Sequence, residues 1–296
     1  MSDPTGPRPL RSVLYMPAAN ARALEKARGL PADGLIFDLE DAVAPDAKAM
    51  AREQAVAAAA SGAYAPRTVV VRVNALSTPW GAEDARAAAG AGADAVLLPK
   101  VESRAQLDAL SDVLEAAGAP AALRLWAMIE TPRGVLDADA IAGHPRLAAL
   151  VMGTSDLVVD LRARHTPDRA PLQAALSHVV LVARAHGLSV LDGVPLDLSA
   201  DEAELERQFG QSRDMGFDGR SLIHPKQLAP ANRVFAPAAA EVERAERIVA
   251  AFAEAEAEGR GLVVLDGQLI ENLHVAEARR LLAAREAIAA LEAAAA

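Results

Sequence analysis

The sequence predicts an α/β protein built as a (β/α)8 barrel with a C-terminal helical extension, and three observations support that fold class. Short apolar runs rich in Val, Leu and Ile alternate with longer amphipathic stretches, which is the pattern of parallel βα units. Eight such runs occur before residue 230, the number that closes a barrel. Most of them end on a polar or ionisable residue or are followed directly by one, as expected where the C-terminal ends of barrel strands build a site.

The first run, residues 12–16, leads into Pro17-Ala18-Ala19-Asn20. A doubly wound dinucleotide fold would place a glycine-rich phosphate turn there, so that architecture is disfavoured. A short helix follows, with Arg22 and Lys26 four residues apart and therefore on one face. The second run, 34–38, opens into Asp38, Glu40 and Asp41 and then a helix over 47–60. The third, 68–73, contains Arg72 and ends at Asn74, and the fourth, 95–99, is closed by Lys100 ahead of a helix over 103–117. The fifth, 123–130, ends on Glu130, and the sixth, 149–153, is followed closely by Asp156. After a helix over 171–186, the seventh run, 188–191, precedes Asp192, and the eighth, 219–223, stops at His224-Pro225-Lys226, a turn that cannot continue a strand.

Beyond Phe235 the pattern changes to a Glu-rich helix over 239–258, a short apolar strand over 262–265, an Asp266-Gly267 tight turn and a terminal helix. We therefore divide the chain into a barrel, 1–235, and a C-terminal segment, 236–296. The second is too short to be expected to hold its own core, and should pack on the barrel or on a neighbouring subunit.

Composition narrows the function. Hydrophobic residues make up 52% of the 296 and aromatics only 3%, so the core is aliphatic and alanine-rich. A net charge of -10 argues against a nucleic-acid partner, which needs a basic face to release counterions. The absence of cysteine excludes disulfides, thiolate metal sites and cysteine nucleophiles. No run approaches the length of a membrane span, and the first nine residues lack the regions of a signal peptide. The expectation is a cytoplasmic enzyme with no membrane partner.

Glu130 and Asp156 stand about one strand-helix unit apart, at neighbouring rim positions. Two carboxylates so placed suit one Mg2+, which takes one or two protein carboxylates and completes its shell with water or substrate oxygens. The plainer alternatives are a helix N-cap for Asp156 and a salt bridge from Glu130 to Arg133. Arg72 lies between Val71 and Val73, and a charge within an apolar barrel strand must point into the polar mouth or be paired. It either grips an anionic substrate group or forms a buried ion pair with Asp38 or Glu40. Asp41 is either a loop or helix cap or part of the chemistry. Arg22 and Lys26 form either a solvated face or a basic clamp for phosphates, and His224 is either scaffold or catalyst.

Seven ordered blocks, spanning roughly residues 11 to 230, resemble the citrate lyase β-subunit-like CoA-ester lyases of the HpcH/HpaI aldolase superfamily. They are Arg11-Ser12-Val13-Leu14-Tyr15-Met16-Pro17, Phe37-Asp38-Leu39-Glu40-Asp41-Ala42-Val43, Arg72-Val73-Asn74, Leu98-Pro99-Lys100, Ile129-Glu130-Thr131-Pro132, Gly153-Thr154-Ser155-Asp156-Leu157, and Gly216-Phe217-Asp218-Gly219-Arg220 through Ile223-His224-Pro225. The resemblance implies Mg2+ on Glu130 and Asp156, Arg72 on the substrate carboxylate or carbonyl, and Asp38 and Glu40 in support of catalysis. It also implies that Arg11, Pro17, Arg22, Lys26 and His224 contact substrate or CoA. The implied reaction cleaves a 3-hydroxyacyl-CoA, such as malyl-CoA, β-methylmalyl-CoA or citramalyl-CoA, to an acyl-CoA and glyoxylate or pyruvate. Malyl-CoA thioester hydrolysis and action on a carrier-protein thioester are the alternatives.

Leu265-Asp266-Gly267 resembles the family's lid turn, whose aspartate transfers a proton in the active site of the adjacent subunit. Such a lid implies a homotrimer or a hexamer. Family members often have a glycine where Ala18 stands and a lysine where Arg220 stands, and both positions are expected near the CoA.

Overall fold

Eight parallel strands close into a barrel in the computed structural model, which describes residues 8–259 and 261–295. They are β1 (Ser12–Pro17), β2 (Gly34–Asp38), β3 (Thr68–Arg72), β4 (Ala95–Leu98), β5 (Arg124–Ile129), β6 (Leu147–Met152), β7 (Ser189–Asp192) and β8 (Gly219–Leu222). Each pairs with the next in sequence, and β1 closes on β8 through Ser12 to Leu14 against Arg220 to Leu222. The expected (β/α)8 barrel is present, with every predicted strand within two residues of its observed ends. No helix among the described residues is long and apolar enough to cross a membrane.

Period-two alternation sorts the strand residues into two apolar layers. Val13 and Tyr15 of β1, Ile36 of β2, Val70 of β3, Leu97 of β4, Trp126 and Met128 of β5, Val151 of β6 and Leu191 of β7 form the cluster that fills the barrel. Their neighbours, among them Leu14, Phe37, Val71, Leu98, Ile129, Leu150, Val190 and Leu222, pack outward against the helices. Extending the inward series by two residues reaches Pro17, Asp38, Arg72, Glu130 and Gly153. The barrel interior is thus apolar below and ionic at its C-terminal mouth.

Local signals end the strands where the site needs them. Directly after Glu130, the Thr131 hydroxyl accepts from Gly134 N at 3.0 Å and Pro132 occupies the first turn of the helix Pro132–Leu136, so the chain turns out of the sheet at once. After Lys100, the Gln106 side chain reaches back to Ser103 N at 3.1 Å and starts the helix Arg104–Ala116.

The residues divide into two compact units, Leu10–Phe235 and a second built from Ala236 onward. The second has a small core, contrary to the expectation from its length. Ala245, Ile248 and Phe252 of the helix Ala239–Ala257 pack with Val275 and Ala278 of the helix Asn272–Ala295 and with Ile270. A hairpin of β9 (Val263–Leu265) and β10 (Gln268–Ile270) joins the helices. Its two-residue turn has φ of 50° at Asp266 and 76° at Gly267, the left-handed pair that an Asp-Gly sequence supplies at least cost.

Candidate active site

The mouth of the barrel holds a cavity of about 430 Å3, within the range of small-molecule sites. Tyr15, Pro17, Asp38, Asp41, Arg72, Met128, Gly153, Ser155, Asp156, Val194 and Ile223 are among its lining residues.

Arg72 is its anchor. Nε and Nη2 donate to Asp38 Oδ1 and Oδ2 at 2.7 and 2.6 Å, a bidentate pair. Nη1 lies 2.7 Å from Glu40 Oε2, yet that oxygen accepts no hydrogen bond, so the contact is ionic and off-axis. Burial opposes the guanidinium charge, but Asp38 beside it outweighs burial and holds Arg72 more firmly protonated than usual. Arg72 is thus ion-paired, the second of its two sequence readings, and it also lines the cavity. Asp38 also accepts from Glu40 N at 2.9 Å and Ala42 N at 3.2 Å. The loop-bracing role considered for Asp41 thus falls to Asp38, and Asp41 faces the cavity instead.

Lys100 adds a second cation, with Nζ 3.1 Å from Glu40 Oε1 and 4.0 Å from Asp156 Oδ1. Burial works against its charge, but Glu40 more than compensates and its pKa is raised, which is the wrong direction for an imine-forming amine. Burial likewise raises the Glu40 carboxyl, against the pull of Arg72.

Glu130 is buried, and its Oε1 accepts the Lys100 backbone N–H at 2.8 Å; the ion pair with Arg133 does not form. Lys100 reaches this geometry with φ of 51°, an uncommon conformation for a residue with a side chain. Burial pushes the Glu130 carboxyl up to about 7, with nearby Asp156 adding to the rise and the Lys100 N–H opposing it. Gly153 makes room for it, since a Cβ at that position would lie 2.4 Å from Glu130 Oε2. Asp156, in the first turn of the helix Thr154–Asp160, caps nothing, because the N-cap residue is Gly153.

A carboxylate driven toward protonation by burial, with one oxygen committed and a second carboxylate nearby, suits a divalent cation that restores its charge. Among the described residues no cluster of three or more His, Cys, Asp or Glu could hold a metal. Glu130 and Asp156 together offer a pair of carboxylate oxygens, a donor chemistry that fits Mg2+ better than zinc.

Other expected site residues stand elsewhere. Arg11 precedes β1, at the closed end of the barrel, where it forks onto Asp33 with Nη2 2.8 Å from Oδ1. The pair joins the start of β1 to the residue before β2, and the cavity at the mouth is lined by other residues. Asp192 shares the outward parity of Val190 and lies under the helix Glu202–Asp214, accepting from Ser212 Oγ and from Arg169 at 2.5 Å each. Arg220 is buried in that same layer, 4.0 Å from Asp192 Oδ2, and donates to Gly193 O. The expectation that Asp192 belongs to the rim and Arg220 to the CoA side is corrected: both tie the sheet to its helices. The His224 ring accepts from Lys226 N at 3.1 Å and caps a 3-10 turn. Arg22 and Lys26 are exposed on the helix Ala21–Ala27 that leaves the mouth after β1, and Pro17 lines the cavity. In the C-terminal unit, Asp266 pairs with Arg247 at 2.5 Å.

Two contributors were not singled out from sequence. Lys48 is buried, and its ammonium donates to Leu39 O, Glu40 O and Asn74 Oδ1 at 2.7, 2.7 and 2.9 Å, pinning the backbone around Glu40. Tyr15 lies beneath Arg72, whose Cζ is 4.8 Å from the ring centroid. Nothing in the spacing separates Lys48 from a solvated helix lysine, whereas inward parity with Val13 could have flagged Tyr15.

Comparison with known proteins agrees with this geometry. Residues 11–225 match the model of the HpcH/HpaI aldolase/citrate lyase family. The chain is 52% identical over 285 residues to a (3S)-malyl-CoA thioesterase of Cereibacter sphaeroides, covering 96% of this chain and 98% of that one. It is 35% identical to the citrate lyase subunit beta of Escherichia coli over 94% of both. Among solved structures, Mycobacterium tuberculosis CitE in complex with magnesium, acetoacetate and coenzyme A superposes with a TM-score of 0.76 at 29% identity, over 95% of this chain and 99% of that one. With its closed parallel barrel and the ionic mouth just described, this chain belongs to the HpcH/HpaI aldolase/citrate lyase family of enzymes.

Proposed function

We propose that this enzyme acts on a malyl-CoA-type 3-hydroxyacyl-CoA, with Mg2+ held by Glu130 and Asp156, and that it hydrolyses the thioester to free CoA and the hydroxy acid. The observation that carries this reading is the 52% identity to a (3S)-malyl-CoA thioesterase across nearly the whole of both chains. When bound, Mg2+ would polarise substrate oxygens and stabilise developing negative charge. Arg72, held charged by Asp38, supplies a fixed positive edge for the acid oxygens. Glu40, whose carboxyl is raised by burial, takes a proton from the attacking water as the thioester carbon–sulfur bond breaks and CoA leaves. Arg22 and Lys26 contact the CoA phosphates, and Asp266, delivered from a neighbouring subunit of a homotrimer or hexamer, completes the site.

Carbon–carbon cleavage is the second reading, favoured by the family match and by the citrate lyase subunit relatives. There Glu40 would take the 3-hydroxyl proton, the bond to the 2-oxo acid would break, and Asp266 would protonate the acyl-CoA enolate carbon. Assaying purified protein with Mg2+ against malyl-CoA, β-methylmalyl-CoA and citramalyl-CoA, following free CoA and 2-oxo acid separately, distinguishes the two. Free CoA without 2-oxo acid supports hydrolysis, 2-oxo acid with acyl-CoA establishes the lyase, and either product persisting in EDTA refutes the metal.

A further inference from the structure

Tyr15 is buried at the cavity floor, where a phenyl ring alone would fill the same space. A buried tyrosine hydroxyl normally finds a hydrogen-bond partner, and Tyr64 does, donating to Leu24 O at 3.0 Å. Among the described residues the Tyr15 hydroxyl has only the Met128 thioether, at 3.8 Å, and a thioether is a weak acceptor. Arg72 Nη1 lies 3.8 Å from that same sulfur. A phenol O–H and a guanidinium N–H thus stand at equal distance from one sulfur at the cavity wall, and the thioether satisfies neither.

We propose that Tyr15 Oη and Arg72 Nη1 form a two-donor subsite that grips one carboxylate oxygen of the acid half of the substrate, with Met128 closing its apolar side. This assignment rests on the proposed activity for the identity of the acid, a short 2-oxo or 2-hydroxy acid, but not for the site's existence. The guanidinium above the ring holds the phenol in place. Burial raises the Tyr15 pKa beyond its ordinary value, so the hydroxyl remains a donor throughout the working pH range. Arg72 brings the charge of this subsite, and Tyr15 adds a second donor that a phenylalanine would lack.

The test is calorimetric titration of the full chain, saturated with Mg2+, with pyruvate and with CoA, for wild type and Tyr15→Phe. A lost hydrogen bond to a charged oxygen should weaken pyruvate binding roughly 10- to 100-fold and leave CoA affinity and melting temperature unchanged. Pyruvate affinity within twofold of wild type would overturn the proposal. A fall in turnover with unchanged pyruvate affinity would overturn it too, since the phenol would then serve the thioester oxygen. Tyrosine difference absorbance on wild type removes dependence on the variant. There are only two tyrosines and Tyr64 is committed, so a pyruvate-induced tyrosine signal supports the subsite and its absence refutes it. Neither measurement needs catalysis, so they stand even if malyl-CoA proves not to be the substrate.

Discussion

Replacing Glu130 with Gln tests whether the carboxylate pair is built for a cation. The Glu130 carboxyl is raised from 4.5 to about 7 in the folded protein, chiefly by burial. A carboxyl whose folded pKa lies above its unfolded value binds more protons when folded, so stability falls as pH rises from about 4.5 to about 7 and is level beyond. At roughly 1.4 kcal/mol per pH unit of displacement, the loss above pH 7 is on the order of 3 kcal/mol. The glutamine variant does not ionise and should escape that loss, less about 1–3 kcal/mol for an amide donor with no acceptor. Urea unfolding in EDTA between pH 4.5 and 8 should therefore show wild-type stability declining through that window and the variant's declining less. Added Mg2+ at about 100 times its Kd should return roughly 2.7 kcal/mol to wild type at pH 8 and nothing to the variant. Equal slopes in EDTA, or equal stabilisation by Mg2+, would refute the assignment.

The remaining outcomes follow from individual contacts. Gly153→Ala would place a Cβ 2.4 Å from Glu130 Oε2; the carboxylate must move by about an ångström, costing about 1–3 kcal/mol of stability and weakening Mg2+ binding at least tenfold by calorimetry. Arg72→Lys keeps the charge but cannot fork onto Asp38 while reaching Glu40, so kcat/KM should fall roughly 100-fold or more; a loss under fivefold would make the pair purely structural. Asp266→Ala should preserve the fold and Mg2+ binding while turnover falls at least tenfold, and unchanged turnover would remove Asp266 from the mechanism.

How much of this is legible in the sequence depends on what sets each feature. The barrel is, because eight apolar runs separated by amphipathic stretches leave few other architectures, and the runs at 34–38 and 68–73 match β2 and β3 closely. The small core of the C-terminal unit is only half legible: Ala245, Ile248 and Phe252 recur at helical spacing on one face, but no local pattern says that Val275 and Ala278 cover it. Lys48 is hidden for a related reason: its acceptors are backbone carbonyls and Asn74, none of which any local pattern assigns to it.

Parity accounts for both the successes and the failures at the site. Asp38, Arg72 and Glu130 each lie two residues beyond an inward apolar residue, Ile36, Val70 and Met128, so their side chains must enter the mouth. For Arg72 the run Val69-Val70-Val71-Arg72-Val73 has no alternation, and only the presence of a charge within an apolar strand marks the position from sequence. The seventh run, Leu188 to Leu191, has no charged residue to mark a face, as a strand buried on both faces should not, and gives no parity. Only its register, with Leu191 beside inward Val151, fixes Leu191 inside and turns Asp192 outward to Ser212 and Arg169. Arg220 follows from the same rule, since it lies beside Asp192 in the pairing of β7 with β8. An ionisable residue at a strand end is therefore a site residue only when the register also turns it inward. By that criterion Tyr15, inward between Val13 and Pro17, faces the cavity as Arg72 does.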